Sequence, residues 1–336
     1  PFLPKKIEEG RIQDIRECIG CNICISGDMT MSISRCTQNP TFMEEWRKGW
    51  HPEKIEPKGS SSKVLIVGSG PAGLEAALAC ANRGYEVTLT EALDTIGGRV
   101  SRERNLPGLS AWGRVADYRE YQLSQKSNVE TYFQSRLNVE QVLEFGFENV
   151  CLATGSKWRV DGVSRQHVLP IPTDSKMSLF TPDDIMNNKL PNGKVVIYDD
   201  DHYYMGGVVA ELLIQKGCEV TLVTPSAYVS EWSKNTLEQG EIQKRLIEMG
   251  VNIELNKGIT SIHSNYVKTN CIYTQTTADL EAEAVVIVAS QKPNDKLFED
   301  LKLQRENWKD VGLSLIHISE PTRRYAISYD VFCLKK

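Results

Sequence analysis

The sequence predicts an α/β fold: a cysteine-bearing segment followed by two nested domains in which short parallel strands alternate with helices. Three observations carry this. Apolar runs of strand length recur between segments rich in helix formers. One strand-to-helix turn, Gly68-Ser69-Gly70-Pro71-Ala72-Gly73, carries the glycine spacing G-x-G-x-x-G. A second strand–helix–strand start begins at residue 194, so that one α/β unit sits inside another.

The elements follow in order. Residues 1–57 contain Cys18, Cys21, Cys24 and Cys36, and 51–62, with Pro57, Gly59 and a run of serines, read as a linker. Residues 63–67 (KVLIV) suit a buried parallel strand, 72–82 a helix stopped by Gly84, and 86–90 a second strand. Then come a helix at 112–125, a strand at 129–133, a short helix at 139–145 and a strand at 149–153. In the second block 194–198, 219–223 and 252–255 read as strands, and 207–216 and 237–249 as helices. An antiparallel meander is expected between Gly258 and Glu283, and 284–289 (AVVIVA) as a last buried strand. The domain division is therefore 58–190 for a Rossmann-like nucleotide-binding domain, 191–283 for an inserted Rossmann-like domain, and 284–312 for the return to the first.

Both ends look foreign to this pattern. Residue 1 is Pro, not Met, and the opening stretch reads like the exit from something larger. Residues 313–323 (LSLIHISEPTR) and 327–336 (ISYDVFCLKK) resemble a translated sequencing-library adapter, with Asp330 where Ala is expected. Residues 313–336 are therefore set aside from the fold.

The composition, 40% hydrophobic and 25% charged, is that of a soluble globular protein. A net charge of −5 points away from nucleic acid and anionic membranes, and no apolar run reaches membrane-spanning length. Cys80, Cys151, Cys218 and Cys271 stand singly in apolar or strand-like contexts, as reduced core cysteines of a cytoplasmic protein do.

The four early cysteines are spaced C-x2-C-x2-C-x11-C. Three thiolates in one tight turn, helped by Gly20, can wrap one side of a compact inorganic cluster, and the fourth closes the other side. That spacing suits a [4Fe–4S] cluster, whereas structural zinc usually draws on two separated cysteine pairs. In the glycine fingerprint, Gly68 makes the tight turn and Gly70 lets backbone approach a pyrophosphate. Pro71 and Ala72 open the helix, and Gly73 packs it on the strand. Glu91, at the end of the next strand, is placed for ribose hydroxyls; a plain surface carboxylate is the alternative. Gly98 and Arg99 offer close approach and a phosphate partner, against a turn with an exposed arginine. Thr154 and Gly155 end a strand where this fold meets its ligand, or form only a turn.

The corresponding turn of the second block reads Asp199-Asp200-Asp201-His202-Tyr203-Tyr204. Its carboxylates would repel a pyrophosphate, so this block is expected not to hold NAD(P). A solvated loop is expected there rather than a metal site on Asp199, Asp201 and His202, since consecutive acids alternate in direction. Tyr203 or Tyr204 is a candidate contact for an electron-transfer partner. His51 reads as a packing residue, and no Ser-His-Asp set has a supporting context.

Taken together, RECIGCNIC, CTQNP, EEWRKGWHPEK, VLIVGSGPAGLEAA, IGGR, LPGLSAW, DYREYQ, LATGSKW and DDDHYYMGG resemble the post-barrel half of the trimethylamine and dimethylamine dehydrogenases. They are also similar to flavin-dependent demethylases of methylated glycines and, more distantly, to 2,4-dienoyl-CoA reductase. The reductases place the third cysteine one residue further on. The resemblance implies an absent N-terminal (β/α)8 barrel in which FMN oxidises a small methylated amine. It implies a [4Fe–4S] cluster on Cys18, Cys21, Cys24 and Cys36, ADP or FAD on the first Rossmann-like domain, and an electron-transferring flavoprotein as acceptor. A homodimer is implied too, and a closing Gly-Asp nucleotide turn beyond Gly312. Two other readings stay open: part of an NAD(P)H-dependent flavin and iron–sulfur enoate reductase, or a non-catalytic nucleotide-binding docking scaffold. In the amine dehydrogenase reading no residue of this chain breaks substrate bonds.

Overall fold

The computed structural model describes residues 2–40, 42–43, 56–307 and 314–317. His51 and the first part of the expected linker, residues 51–55, lie outside them. The cysteine segment contributes α1 (Leu3–Glu8) and α2 (Ile23–Met29). The first domain follows as β1 (Val64–Val67), α3 (Pro71–Asn82), β2 (Val87–Thr90), α4 (Val100–Glu103), α5 (Arg114–Ser124), β3 (Val129–Tyr132), α6 (Val139–Glu144) and β4 (Asn149–Leu152). Then come β5 (Ser156–Trp158), β6 (Ser178–Phe180), α7 (Pro182–Met186), β7 (Lys194–Asp199), α8 (Tyr204–Gln215), β8 (Glu219–Val223), α9 (Gln239–Glu248) and β9 (Asn252–Glu254). The chain closes with β10 (Lys257–Ile262), β11 (Tyr266–Cys271), β12 (Thr277–Glu281), β13 (Ala284–Val288), β14 (Gln291–Pro293), α10 (Lys296–Asn307) and β15 (Ser314–His317).

Two parallel sheets result, ordered β15-β4-β1-β2-β3 and β6-β13-β7-β8-β9. The expected meander is the antiparallel sheet β10-β11-β12, and β5 pairs antiparallel with β14. Side chains of a strand alternate between the faces of its sheet. In β1, Val64 and Ile66 enter the core beneath α3 and α5, while Leu65 and Val67 enter the one beneath α6 and α10. In β7, Val195 and Ile197 pack with α8, and Val196 and Tyr198 with the meander. Both central strands are therefore buried on both faces, which is why their sequences are continuous apolar runs.

Two boundaries differ from the sequence division. The sequence pattern places residues 284–289 in the first domain, but β13 is hydrogen-bonded between β6 and β7 in the second sheet, with Ala284 opposite Val195. The segment 178–186 belongs there too, although it falls inside 58–190. An apolar run of this kind suits either of two similar sheets, and only non-local pairing decides between them. The second correction concerns the stretch set aside at 313–336. Ser314–His317 runs parallel to β4, with Ser314 opposite Asn149. The outer edge of β4 offers unpaired backbone groups, and a Ser-Leu-Ile-His stretch suits such an edge whatever its origin.

Candidate nucleotide and cysteine site

A cleft of about 1850 Å3 runs from Cys21 and Cys36 past the glycine turn to the junction of the two domains. Of the residues selected for nucleotide binding, all but Gly73 line it. The turn between β1 and α3 explains why. Gly68 adopts φ +103°, and a Cβ there would run into the Ala153 carbonyl at the end of β4. A Cβ on Gly73 would collide with the Gly68 carbonyl, so helix and strand close to backbone contact. Gly70 is different: nothing lies within 4 Å of where its Cβ would stand. Gly98 faces it, its own Cβ position 3.1 Å from the Gly70 Cα. The N-terminus of α3 takes no side-chain cap. A backbone cradle at an uncapped helix start is the donor set that a pyrophosphate requires, and it fits the adenosine pyrophosphate common to ADP and FAD.

Glu91 is buried rather than on the surface. Its Oε2 accepts from the Ser69 backbone N–H at 2.9 Å and from Ser69 Oγ at 2.6 Å, and its Oε1 accepts from the Leu93 N–H at 2.9 Å. The carboxylate therefore holds the glycine turn in place and keeps lone pairs for a ribose. Arg99 is not an exposed arginine of a turn. It donates to the Ser156 carbonyl at 2.7 Å and to Gln291 Oε1, clasping β5 and β14. Thr154 Oγ1 donates to the Asn294 carbonyl at 2.7 Å, and Asn294 Nδ2 donates to the Thr154 carbonyl at 2.9 Å. Asn294 and Gln291 thus shape the cleft wall. No local motif marks either residue, because their partners lie far away in sequence.

The cysteine segment docks on α3 and α5. Cys18 Sγ accepts from the Gly20 N–H at 3.3 Å, and Cys36 Sγ from the N–H groups of Gln38 (3.4 Å) and Asn39 (3.3 Å). Cys21 Sγ lies 3.1 Å from Thr37 Oγ1, and Cys24 sits in the first turn of α2. Burial pushes the Cys21 thiol up, with Cys36 and Cys18 adding charge repulsion. Among the described residues, no three Cys, His, Asp or Glu side chains converge as ligands of a single ion. A cubane cluster binds each thiolate to a different iron, so its ligands surround a volume instead of a point. Backbone N–H groups aimed at two of the four sulfurs fit such a group. Elsewhere Cys80, Cys151 and Cys218 are buried, with Cys80 pushed up to about 11 and Cys151 to about 12 by burial, whereas Cys271 is half-buried.

The second turn corrects two expectations. Asp199, Asp200 and Asp201 are 0%, 1% and 7% exposed, not solvated. Asp199 Oδ1 accepts from the N–H groups of Asp201 and His202, both at 3.1 Å. Asp200 Oδ2 accepts from the Gln166 N–H at 2.8 Å, and its Oδ1 lies 2.8 Å from His202 Nε2. His202 Nδ1 in turn meets Ser226 Oγ at 2.8 Å. A Ser-His-Asp chain therefore exists that the sequence did not reveal, but His202 and Ser226 lie outside the lining of the cleft. Tyr203 and Tyr204 are not free aromatic contacts. They stack edge-on with each other and with Trp232 and Trp112, and Tyr204 Oη donates to Glu103 Oε1 at 3.0 Å.

Nested parallel sheets, a glycine turn with a buried acid and a cleft at the domain junction define a nucleotide-binding oxidoreductase frame. The chain belongs to the pyridine nucleotide-disulphide oxidoreductase family, whose pattern matches residues 38–105 and 62–312. It is 35% identical to dimethylamine dehydrogenase from Hyphomicrobium sp., over 95% of this chain and 47% of that protein. Among solved structures it is similar to histamine dehydrogenase from Rhizobium sp. 4-9, with 61% identity and a TM-score of 0.94 over 99% of this chain and 52% of that one. It is also similar to 6-hydroxypseudooxynicotine amine oxidase from Pseudomonas geniculata N1, with 43% identity and a TM-score of 0.92 over 99% and 50%. The chain spans about half the length of these relatives. Among the described residues no helix is long and apolar enough to cross a membrane.

Proposed function

We propose that this chain is the electron-relay and nucleotide-binding part of a flavin-dependent amine dehydrogenase, passing electrons from FMN through a [4Fe–4S] cluster to an electron-transferring flavoprotein. The relatives named above are amine dehydrogenases and an amine oxidase. The observation that carries the reading is the backbone N–H pattern at Cys18 and Cys36, with Cys36 lining the cleft that also holds the glycine cradle. A [4Fe–4S] cluster supplies one-electron uptake and release. This chain's part is to hold it on Cys18, Cys21, Cys24 and Cys36, with N–H donors on the sulfurs. Gly68, Gly70, Pro71, Ala72 and Gly98 receive the adenosine pyrophosphate of ADP or FAD, and Glu91 fixes the turn and faces the ribose. By resemblance the amine, a small methylated one, is oxidised at an FMN-bearing barrel and not by the residues named here. A homodimer is part of the same proposal.

The second turn speaks against an inward flow of electrons from a nicotinamide. Asp199 already places a carboxylate against the start of α8, where a Cβ on Gly206 would strike it. Anaerobic reconstitution with iron and sulfide tests the reading. The expected result is four irons and four sulfides per chain, lost when Cys21 and Cys36 are both replaced by Ser. Calorimetry should show ADP binding with little affinity for NADPH. Absence of iron, or NADPH binding tighter than ADP, would refute it.

A further inference from the structure

Gln38 is buried, 2% exposed, and all four of its hydrogen-bonding groups are engaged. Its backbone N–H points at Cys36 Sγ (3.4 Å) and its carbonyl accepts from Arg16 Nη1 (2.8 Å). Its side-chain Oε1 accepts from Arg119 Nη1 (3.0 Å), and its Nε2 donates to the carbonyl of Glu17, the residue before Cys18 (3.3 Å). Both arginines converge on one carboxylate. Arg16 meets Glu75 at 2.9 and 3.2 Å, and Arg119 Nε meets Glu75 Oε2 at 2.7 Å. Glu75 stands in α3, the helix that the glycine turn opens. Burial opposes its charge, but the two guanidiniums prevail and hold its carboxyl below the ordinary range.

We infer that Gln38 is a positioning residue for the cysteine site: it ties the fourth thiolate to the backbone beside the first and anchors both to the nucleotide-binding helix. The side-chain amide sets the distance between the Cys18 turn and the Cys36 turn. The arginine pair fixes the rotation of the 38–39 backbone, and so the aim of the two N–H groups at Cys36. Donors to a thiolate stabilise the more negative, reduced form of a cluster. Loosening them should shift its midpoint potential to a more negative value. This inference rests on the cluster reading above.

Gln38→Met keeps the side-chain length and removes both side-chain bonds. Arg16→Lys keeps a charge beside Glu75 and releases the Gln38 carbonyl, a second route should the first variant fold poorly. Gln122→Met is the control: Gln122 also clips the segment to α5, donating to the Gln13 carbonyl at 2.9 Å, but away from the sulfurs. Two readouts separate the questions. On the cluster-free chain, hydrogen exchange by mass spectrometry should show amides 38 and 39 exchanging on the order of tenfold faster in Gln38→Met and Arg16→Lys than in the control. On the reconstituted chain, an electron paramagnetic resonance titration should give a more negative midpoint for both variants and the parental midpoint for the control. A wild-type chain that takes up no iron removes the cluster reading, and exchange then still judges the geometry. Unchanged exchange, or a cluster whose midpoint stays put in both variants, overturns the positioning role, since a merely structural residue would lower the melting temperature alone.

Discussion

The two strand–turn–helix starts, β1 to α3 and β7 to α8, are the same piece of architecture used in opposite ways. In the first, glycines bring backbone to backbone at Gly68 and Gly73 and leave open space over Gly70. The acid that organises this turn, Glu91, comes from the neighbouring strand and leaves the helix start free. In the second, the acid lies within the turn. Asp199 accepts N–H groups of the turn and sits against Gly206, so the protein supplies its own anion at the start of α8. A helix N-terminus favours one negative charge whatever its source. Whether that charge is built in or arrives with a ligand separates a closed turn from a receptive one.

The largest effect expected from breaking this contrast lies in the first turn. Gly73→Val should cost about 3 kcal/mol or more, because the branched side chain enters the Gly68 carbonyl and the helix must move off the strand. Gly70→Ala should leave the melting temperature nearly unchanged, since its φ of −67° suits any residue and the added methyl meets only open space. That methyl should still weaken ADP binding at least tenfold, about 1.4 kcal/mol. Thermal melts and calorimetry with ADP check both. If Gly70→Ala binds ADP as well as the parent, the cradle is not where the nucleotide lies.

Next in size is Asp199→Asn. It keeps an acceptor for the two N–H groups but removes the charge at the start of α8, and should cost about 1 kcal/mol. Urea unfolding measures the loss. ADP affinity should not change, and a variant with altered ADP affinity would show that the second turn belongs to the nucleotide site after all.

How far the sequence carried this contrast depends on how local each interaction is. Gly68, Gly70, Gly73 and Glu91 were legible because one strand, one turn and the next strand contain the whole motif. The strands were legible because two-sided burial writes itself as the continuous runs VLIV and VVIY. The burial of Asp199, Asp200 and Asp201 was not, because their partners include backbone N–H groups that composition cannot show. The same holds for Asn294 against Thr154, Gln38 against Arg119, and the place of β13, each settled by residues far apart in the chain.

The smallest expected effect concerns the junction between the two starts, where Glu103 of α4 meets Tyr204 of α8. Burial raises the Glu103 carboxyl above its ordinary value, and the nearby Arg99 guanidinium offsets this only in part. A carboxyl raised on folding binds its proton more tightly in the native state. Its contribution to stability is full below the unfolded-state value of 4.5 and is lost as pH rises through the folded-state value. Glu75 works in the opposite sense: its lowered carboxyl contributes above the ordinary value and is lost as pH falls through the folded-state one. Glu103→Gln should therefore flatten only the decline on the rising-pH side, keeping an acceptor for Tyr204 Oη, while the acid limb set by Glu75 stays in place. Urea midpoints measured across the pH range for parent and variant test this. Parallel curves would mean that burial at the junction does not raise the Glu103 carboxyl.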